Sequence, residues 1–273
     1  MAASSRRGRK KLRILSKAKV AIIGGSGLED LLKEAETIRV GTPYGLPSPI
    51  YVGEIDEETV AFLPRHGPRH AVPPHQVNYH ANIFALHLLG VERVFATNAV
   101  GGLNKRLKPG ALVIPIDFVD FTKLRKGTFY DSSPVTHVDM SKPYCLEIRE
   151  ALITATKDIG ENVWDDAVLA CTEGPRYETP AEVKMLQCLG CDVVGMTGLP
   201  EAVLAREMEI CYASLCYVSN MAVGLQEQQT ISELTRIGEE KKLIIRRLLR
   251  KAISSLPNAR SCVCSHALED AQL

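Results

Sequence analysis

The sequence alternates between short, uninterrupted apolar runs and longer segments in which apolar residues recur every three or four positions. The runs predict strands at residues 20–23, 59–64, 91–99, 111–119, 167–173, 192–196 and 211–219. The periodic segments predict helices at residues 78–89, 143–158, 180–189, 200–208 and 232–255. Strands without polar alternation are typical of a sheet that is covered on both faces. The alternation therefore predicts an α/β fold with a central, buried sheet flanked by helices.

The composition is that of a folded protein, but basic residues are concentrated at the start of the chain. Hydrophobic residues make up 45% and charged residues 24%, which excludes a globally disordered, collagen-like or rod-like protein. Eight of the 33 Lys and Arg residues lie in residues 1–19, which contain no acidic residue. We predict a basic disordered tail over residues 1–18, a single domain over residues 19–257 and a C-terminal tail over residues 258–273.

The same observations limit the partners and the location. Beyond residue 19 the chain carries more acidic than basic residues, which does not suit a protein that tracks a nucleic-acid backbone. The basic tail leaves open a loose attachment to anions such as RNA. No apolar stretch is long enough for a membrane span, and the tail lacks the apolar segment of a signal peptide. We expect a cytoplasmic protein without a membrane or a specific nucleic-acid partner.

The spacing of the eight cysteines does not indicate a metal site. Cys188 and Cys191 form a CxxC pair, but a second pair at zinc-ribbon spacing is missing from the sequence. Cys262 and Cys264 lie in the predicted C-terminal tail, where we expect no core to bury a thiol. We therefore hypothesise that Cys262 and Cys264 form a stabilising or redox-active disulfide.

Six polar or glycine-rich segments follow predicted strands. They are residues 24–27 (GGSG), 64–67 (PRHG), 97–104 (TNAVGGLN), 173–180 (EGPRYETP), 194–201 (VGMTGLPE) and 219–222 (SNMA). Each segment alone fits an ordinary turn. Ligand sites in α/β sheets form beyond strand ends, so the six segments together predict one pocket. The residue types supply phosphate donors and groups that contact a flat ring, and they indicate catalysis by positioning and electrostatics.

The order and spacing of these segments resemble the purine nucleoside phosphorylase and 5′-methylthioadenosine phosphorylase family, over about residues 19–257. The resemblance implies a single α/β domain with a distorted mixed sheet. It implies phosphate-dependent cleavage of a purine nucleoside to a free base and ribose 1-phosphate. It also implies that no cofactor is needed, that inorganic phosphate is a co-substrate, and that the protein is a homotrimer or a dimer of trimers.

The resemblance also implies roles for individual residues. The phosphate site would contain Ser26, Arg65, His66, Asn98, Ala99 and Thr197. The nucleoside site would contain Tyr177, Met196, Ser219, Asn220, Met221 and Ala222. Asn220 and Glu178 would be the catalytic residues, and His137 would reach the site of a neighbouring subunit.

Specificity follows from a few of these positions. Glu178, Asn220 and Ala222 resemble the 6-oxopurine branch of the family, whereas Arg65 and His66 resemble the methylthioadenosine branch. Ile231 stands where the 6-oxopurine branch has a histidine for the 5′-hydroxyl, so a methylthio group is tolerated there. We expect inosine and guanosine as substrates, with 5′-methylthioinosine possible and methylthioadenosine as the alternative.

Two other classes of protein fit the sequence less well. A dinucleotide-dependent dehydrogenase would use the first glycine-rich turn, but the turn lacks the G-x-G-x-x-G spacing. A non-catalytic purine- or RNA-binding protein would use the basic tail, but it would not need the phosphate-binding residues.

Overall fold

Two long strands, β5 (Arg93–Gly102) and β11 (Cys211–Met221), form the centre of the molecule. They pair in parallel over almost their whole length in this computed structural model, which describes residues 17–25, 28–226 and 231–273. In these described residues eleven strands form one sheet. The sheet has the order β2-β3-β4-β1-β5-β10-β9-β7. In addition, β11 pairs with β5, β6 pairs with β11, and β8 pairs with β6.

The sheet is mixed. The other strands are β1 (Val20–Gly24), β2 (Lys33–Ile38), β3 (Ile50–Ile55), β4 (Glu58–Pro64), β6 (Leu112–Val113), β7 (Asp117–Phe121), β8 (Val163–Trp164), β9 (Val168–Thr172) and β10 (Val193–Gly195). β1 runs parallel to β4 and β5, and β9 runs parallel to β7 and β10. β10 runs antiparallel to β5, and β3 runs antiparallel to β2 and β4. The predicted α/β domain with a mixed sheet is confirmed.

Five helices in the described residues flank this sheet: α1 (Tyr79–Leu88), α2 (Leu146–Asp158), α3 (Pro180–Cys188), α4 (Glu201–Glu207) and α5 (Ile231–Ser254). The sequence fixes the start of α3, because the Thr179 side chain accepts from the Glu182 amide and the Glu182 side chain accepts from the Thr179 amide. Asn78 caps α1 in a similar way. Among the described residues, none of the helices combines the length and the apolar character that a membrane span requires.

The core lies between the sheet and the helices. All five residues of β1 are buried, and Ile22, Ile23, Phe62 and Phe95 have no solvent exposure. Burial of apolar surface on both faces of the central strands is the main contribution to stability, at roughly 25 cal/mol per Å². The continuous apolar runs in the sequence arise from this double coverage.

The structure departs from the predicted elements at several places. The helix predicted from residue 143 begins only at Leu146, because Cys145 takes an extended conformation as its N-cap. The strand predicted over residues 111–119 is divided into β6 and β7 by residues 114–116, which include Pro115. The strands β2, β3 and β8 were not predicted. The residues of β2, KEAETI, are exposed or half-buried and form no apolar run.

The chain ends are bound more tightly than predicted. Residues 1–16 of the predicted basic tail lie outside the described residues. The amides of Lys17 and Ala18, the last residues assigned to that tail, donate to Leu89 O at 2.8 and 3.3 Å. The expectation that residues 258–273 offer no core for a thiol is wrong, because Cys264 is only 3% exposed. This segment is tied to the domain by Ser261, whose hydroxyl donates to the Glu147 carboxylate.

Candidate active site

An opening in the sheet forms the framework of the site. β1 and β10 lie along the same edge of β5 and approach each other from opposite directions. β1 pairs with β5 as far as Ala96, and β10 pairs with it at Gly101 and Gly102. Within the described residues these ladders leave residues 97–100 of β5 without a strand partner on that edge. The carboxyl ends of β1 and β10 therefore both point at this part of β5.

A cavity of about 920 Å³ occupies this opening. Its volume lies in the range of small-molecule sites. It brings together eleven of the residues predicted from the sequence: Arg65, His66, Asn98, Ala99, Tyr177, Glu178, Met196, Thr197, Ser219, Asn220 and Ala222. Four of the six segments reach the opening at the ends of β1, β4, β9 and β10. The other two differ from the prediction, because Asn98 and Ala99 lie within β5 and Ser219 and Asn220 lie within β11.

Two predicted positions cannot be placed relative to the cavity: Ser26 lies outside the described residues, and so does the side chain of Ile231, the first residue of α5. Two described residues, Met221 and His137, are not among those that line the cavity. Met221 is buried beside it as the last residue of β11. His137 is exposed on a loop, where its backbone amide donates to Ala271 O at 2.8 Å. Its predicted contact with a neighbouring subunit stays a prediction.

Arg65 is held by a buried ion pair. Its Nε and Nη2 donate to the two carboxylate oxygens of Glu201 at 2.5 and 2.9 Å, and its Nη1 donates to Thr97 O at 2.8 Å. Tyr212 also donates to Glu201, at 2.9 Å. Because both charged side chains are at most 2% exposed, the pair fixes the guanidinium rigidly. Of the five N–H groups of Arg65, two remain, one on each terminal nitrogen.

His66 is oriented and kept neutral by its surroundings. The short contact of 2.8 Å from its Nδ1 to Val72 O requires a proton on Nδ1, so Nε2 is the free nitrogen. The ring stacks on His70 with centroids 4.0 Å apart. Burial, followed by the charge of Arg65, lowers the pKa of His66 to about 4. At neutral pH this imidazole is therefore a polar group without charge.

Asn98 and Thr197 connect the strands around the opening. The Asn98 amide donates to the Thr197 hydroxyl at 2.7 Å, and Ser214 donates to the Asn98 carbonyl oxygen. The end of β1 comes close to the same place. A Cβ on Gly24 would lie 2.7 Å from Thr97 Oγ1, so only glycine allows this approach.

Glu178 is a buried carboxylate that lines the cavity. The Thr172 hydroxyl donates to Glu178 Oε1 at 2.6 Å, and Glu178 is buried. The neighbouring Arg176 forms its ion pair with Glu182 and not with Glu178. The turn before Glu178 needs Gly174, which has a φ of +67°. A Cβ there would lie 2.6 Å from Met196 Sδ, so the turn packs closely against a residue that also lines the cavity.

A β-bulge aims the end of β11 into the cavity. Val218 pairs with Val100 and Asn220 with Gly101, which leaves Ser219 as the extra residue. Ser219 Oγ lies 2.7 Å from Asn220 Oδ1, and Asn220 Nδ2 donates to Met221 O at 2.9 Å. These contacts set the amide orientation of Asn220. Its carbonyl oxygen accepts locally, and one N–H of Nδ2 is left for a ligand.

The sequence analysis missed several groups around the cavity. It gave Glu201 and Thr172 no role, although they position Arg65 and Glu178. It also missed Arg69, His70 and Lys242, which line the cavity and add positive charge or donors. The repeat of Arg-His at residues 65–66 and 69–70 was a signal for two of them. Glu201, which pairs with Arg65 from 136 positions away, has no such local signal.

The structure shows no disulfide that would support the role hypothesised for Cys262 and Cys264. All eight cysteines lie in the described part of the chain, and all are free thiols. Four of these thiols nevertheless meet in one place, at the end of β11 opposite Asn220. The sequence predicted no such cluster, because its members are up to 119 positions apart in the chain.

Comparisons with known proteins agree with this geometry. Residues 19–254 match the family model described as the phosphorylase superfamily. The chain is 50% identical over 258 residues to a probable S-methyl-5′-thioinosine phosphorylase of Methanothermobacter thermautotrophicus, covering 93% of this chain and 90% of the relative. It is 48% identical over 264 residues to the 6-oxopurine nucleoside phosphorylase of Pyrococcus furiosus, covering 93% and 98%.

A solved structure gives the same result for the fold. The crystal structure of a methylthioadenosine phosphorylase from an antarctic soil metagenomic library superposes with a TM-score of 0.89 at 35% identity. The match covers 94% of this chain and 93% of that one. The chain therefore belongs to the phosphorylase superfamily, within its purine nucleoside and methylthioadenosine phosphorylases, and is a pentosyltransferase.

Proposed function

We propose that this enzyme cleaves 6-oxopurine nucleosides with inorganic phosphate, with inosine and guanosine as its preferred substrates. The products are the free purine and ribose 1-phosphate. The observation that carries the proposal is a matched pair in one cavity: a buried carboxylate that only accepts hydrogen bonds, Glu178, and an amide with one N–H left over, Asn220.

Glu178 supports the choice of base. With Oε1 occupied by Thr172, the second oxygen is available to accept the N1–H of hypoxanthine or guanine. Adenine has a lone pair at N1 and would face that oxygen without a proton between them. A buried polar group left unpaired costs about 1–3 kcal/mol, which corresponds to roughly a 10- to 100-fold preference.

Asn220 supports the assignment of the catalytic group. Its free N–H is suited to donate to N7 or O6 of a 6-oxopurine, where negative charge develops as the base departs. The bulge at Ser219 and the contact with Ser219 hold this donor before substrate binds. A donor that is already oriented stabilises the transition state without a further cost of reorganisation.

The phosphate would lie beside Arg65, His66 and Asn98. Arg65 has one N–H on each terminal nitrogen to offer, and His66 Nε2 can accept a hydrogen bond from a protonated phosphate oxygen. We place Thr197, Ala99 and Ser26 around the same anion, as the family resemblance implies. In the reaction a phosphate oxygen forms a bond to C1′ while the C1′–N9 bond breaks. The bonding electrons go to the purine, which takes up a proton.

A second candidate substrate is 5′-methylthioinosine. The cavity includes the apolar side chains of Leu28, Leu234 and Ile245, which suit a thioether. The relative named a probable S-methyl-5′-thioinosine phosphorylase shares half of its residues with this chain. Glu178 would accept from this base as it does from hypoxanthine, so the base pocket fits both. Methylthioadenosine, the remaining alternative, lacks the N1–H.

One set of assays tests the proposal. We expect kcat/KM for inosine, guanosine and methylthioinosine to exceed that for adenosine and methylthioadenosine by roughly 10- to 100-fold. Release of base should require phosphate and should yield one sugar 1-phosphate per base. A preference for the 6-amino nucleosides would contradict the assignment of Glu178, and unchanged activity without phosphate would indicate a hydrolase.

We also propose that the chain assembles as a homotrimer or as a dimer of trimers, with His137 near a neighbouring site. Exposed apolar side chains such as Leu46 and Leu124 support an interface. Light scattering should give three or six chains. A monomer that is active at all dilutions would contradict the assembly.

A further inference from the structure

Four thiols converge at the amino end of β11. The sulfur atoms of Cys145, Cys211, Cys262 and Cys264 all lie within 4.8 Å of one another. The sulfurs of Cys211 and Cys262 lie 3.3 Å apart, well beyond the ~2.05 Å of a disulfide bond. Four sulfurs around one tetrahedral zinc ion, with Zn–S bonds of about 2.3 Å, are about 3.8 Å apart. The cluster is therefore close to the size of such a site.

The cluster is closed and comes from three segments. Cys145 is the N-cap of α2, Cys211 begins β11, and Cys262 and Cys264 frame the start of a short 3-10 helix. Three of the four side chains are buried and the fourth, Cys262, is half-buried. Four protein ligands without an open position are typical of structural zinc sites rather than catalytic ones.

A buried cation lies against the cluster. The Arg206 guanidinium is buried, with Nη1 3.7 Å from Cys264 Sγ and Nη2 donating to Lys142 O. Four neutral thiols would not need this neighbour. Four thiolates around a divalent ion carry a net charge of −2, which a guanidinium offsets.

We propose that Cys145, Cys211, Cys262 and Cys264 bind one Zn²⁺ ion as a tetrahedral structural site. Each thiol loses its proton, so four protons are released as four Zn–S bonds form, and no electron is transferred. The ion would join the C-terminal segment to α2 and β11. Asn220 lies nine positions after Cys211 along the strand, which is about 30 Å of extended chain, so the site acts on stability and not on the reaction.

Metal content tests the proposal directly. The full chain would be produced with zinc in the medium and purified anaerobically without chelator or added reductant. Mass spectrometric metal analysis should find about one zinc per chain, and less than about a tenth of that in Cys264→Ser and Cys211→Ser. Cys188→Ser, which changes an exposed thiol outside the cluster, is the matched control and should keep its zinc.

A second measurement uses the unchanged chain, in case the cysteine variants do not fold. Replacing zinc by Co²⁺ should produce the thiolate-to-cobalt absorption of a tetrahedral four-sulfur site. Removing the metal should lower the thermal midpoint while kcat/KM at 25 °C stays the same.

Three results would overturn the proposal. One is a metal-free protein with all eight thiols reactive. Another is a metal-free protein that has lost thiols in pairs, which would indicate disulfides. The third is iron in place of zinc, which would overturn the identity of the ion.

Discussion

The two ends of β11 are built for opposite purposes. At Cys211 the strand enters a cluster of four thiols, three of them buried. At Ser219 and Asn220 the strand bulges and leaves an amide N–H facing a cavity. The first arrangement joins separate segments of the chain, whereas the second presents polar groups to a substrate.

This difference separates stability from activity along a single strand. Bulges, close glycine contacts and unpaired polar groups at the cavity end reduce stability for the sake of binding. With the proposed zinc, the other end would contribute stability without contacting substrate. Substitutions at the cavity end should therefore change mainly activity, whereas substitutions at the cysteine end should change mainly stability.

The largest effect should come from Arg65→Ala, which disturbs both properties. Glu201 would remain as a buried carboxylate without its partner, which costs about 3–5 kcal/mol of unfolding free energy. Loss of the two remaining N–H groups should also raise KM for phosphate far more than KM for inosine. Denaturant unfolding and initial rates measure the two effects.

A double variant separates these consequences. Arg65→Ala with Glu201→Gln removes the stranded charge, so it should recover part of the stability but none of the phosphate affinity. If the double variant also recovered the phosphate KM, Arg65 would act only through folding.

Asn220→Ala should affect activity alone. Removing one donor that stabilises developing negative charge typically lowers kcat by about 10²–10³-fold. The thermal midpoint should change little, since within the described residues the Asn220 side chain forms its hydrogen bonds with its neighbours Ser219 and Met221. Assays with inosine and a thermal scan measure both quantities. A large loss of stability with little loss of kcat would contradict the contrast between the two ends of β11.

Asn220→Asp sharpens the same test. It keeps the shape but replaces the donor by an acceptor, so the preference should move from inosine towards adenosine. Unchanged ratios of kcat/KM would count against the role of Asn220 in specificity.

The contrast between the two ends also explains what the sequence could predict. Arg65-His66, Asn98-Ala99 and Ser219-Asn220 are neighbours in short polar segments at or near the ends of apolar runs, so pattern and local spacing locate them. The central sheet was predicted for the same reason. Its strands are buried on both faces and read as continuous apolar runs.

Features made by distant pairs were not predictable. The partners Arg65 and Glu201 lie 136 positions apart, and the cysteine cluster joins three separate segments. Neither has a fixed spacing in the sequence. The polar edge strand β2 was not predicted because five of its six residues are exposed, and only its last residue, Ile38, packs against the core.

Glu178→Gln should give a smaller effect, confined to specificity. A glutamine amide can either accept from N1–H or donate to a bare N1, so it should accept both classes of base. The ratio of kcat/KM for inosine over adenosine should fall by roughly 10- to 100-fold. Glu182→Gln is the matched control, because Glu182 binds Arg176 and the cap of α3. It should leave the ratio unchanged.

The smallest effect should be a pH dependence of stability at the cavity end. Burial and Arg65 lower the pKa of His66 from 6.5 to about 4, so the folded state binds fewer protons than the unfolded state between these values. The contribution of His66 is complete above pH 6.5 and is lost as the pH falls towards 4. The burial of His70 and His87 lowers their pKa values and adds to the same trend.

The variant His66→Asn isolates this contribution, since an asparagine amide can still donate to Val72 O but does not titrate. Unfolding free energies measured between pH 4 and 7 should rise less steeply in this variant than in the parent chain. The difference between the two slopes should correspond to at most one bound proton. Equal slopes for the parent and His66→Asn would mean that His66 titrates normally. In that case a charged imidazole, rather than a neutral one, would face the phosphate at mildly acidic pH.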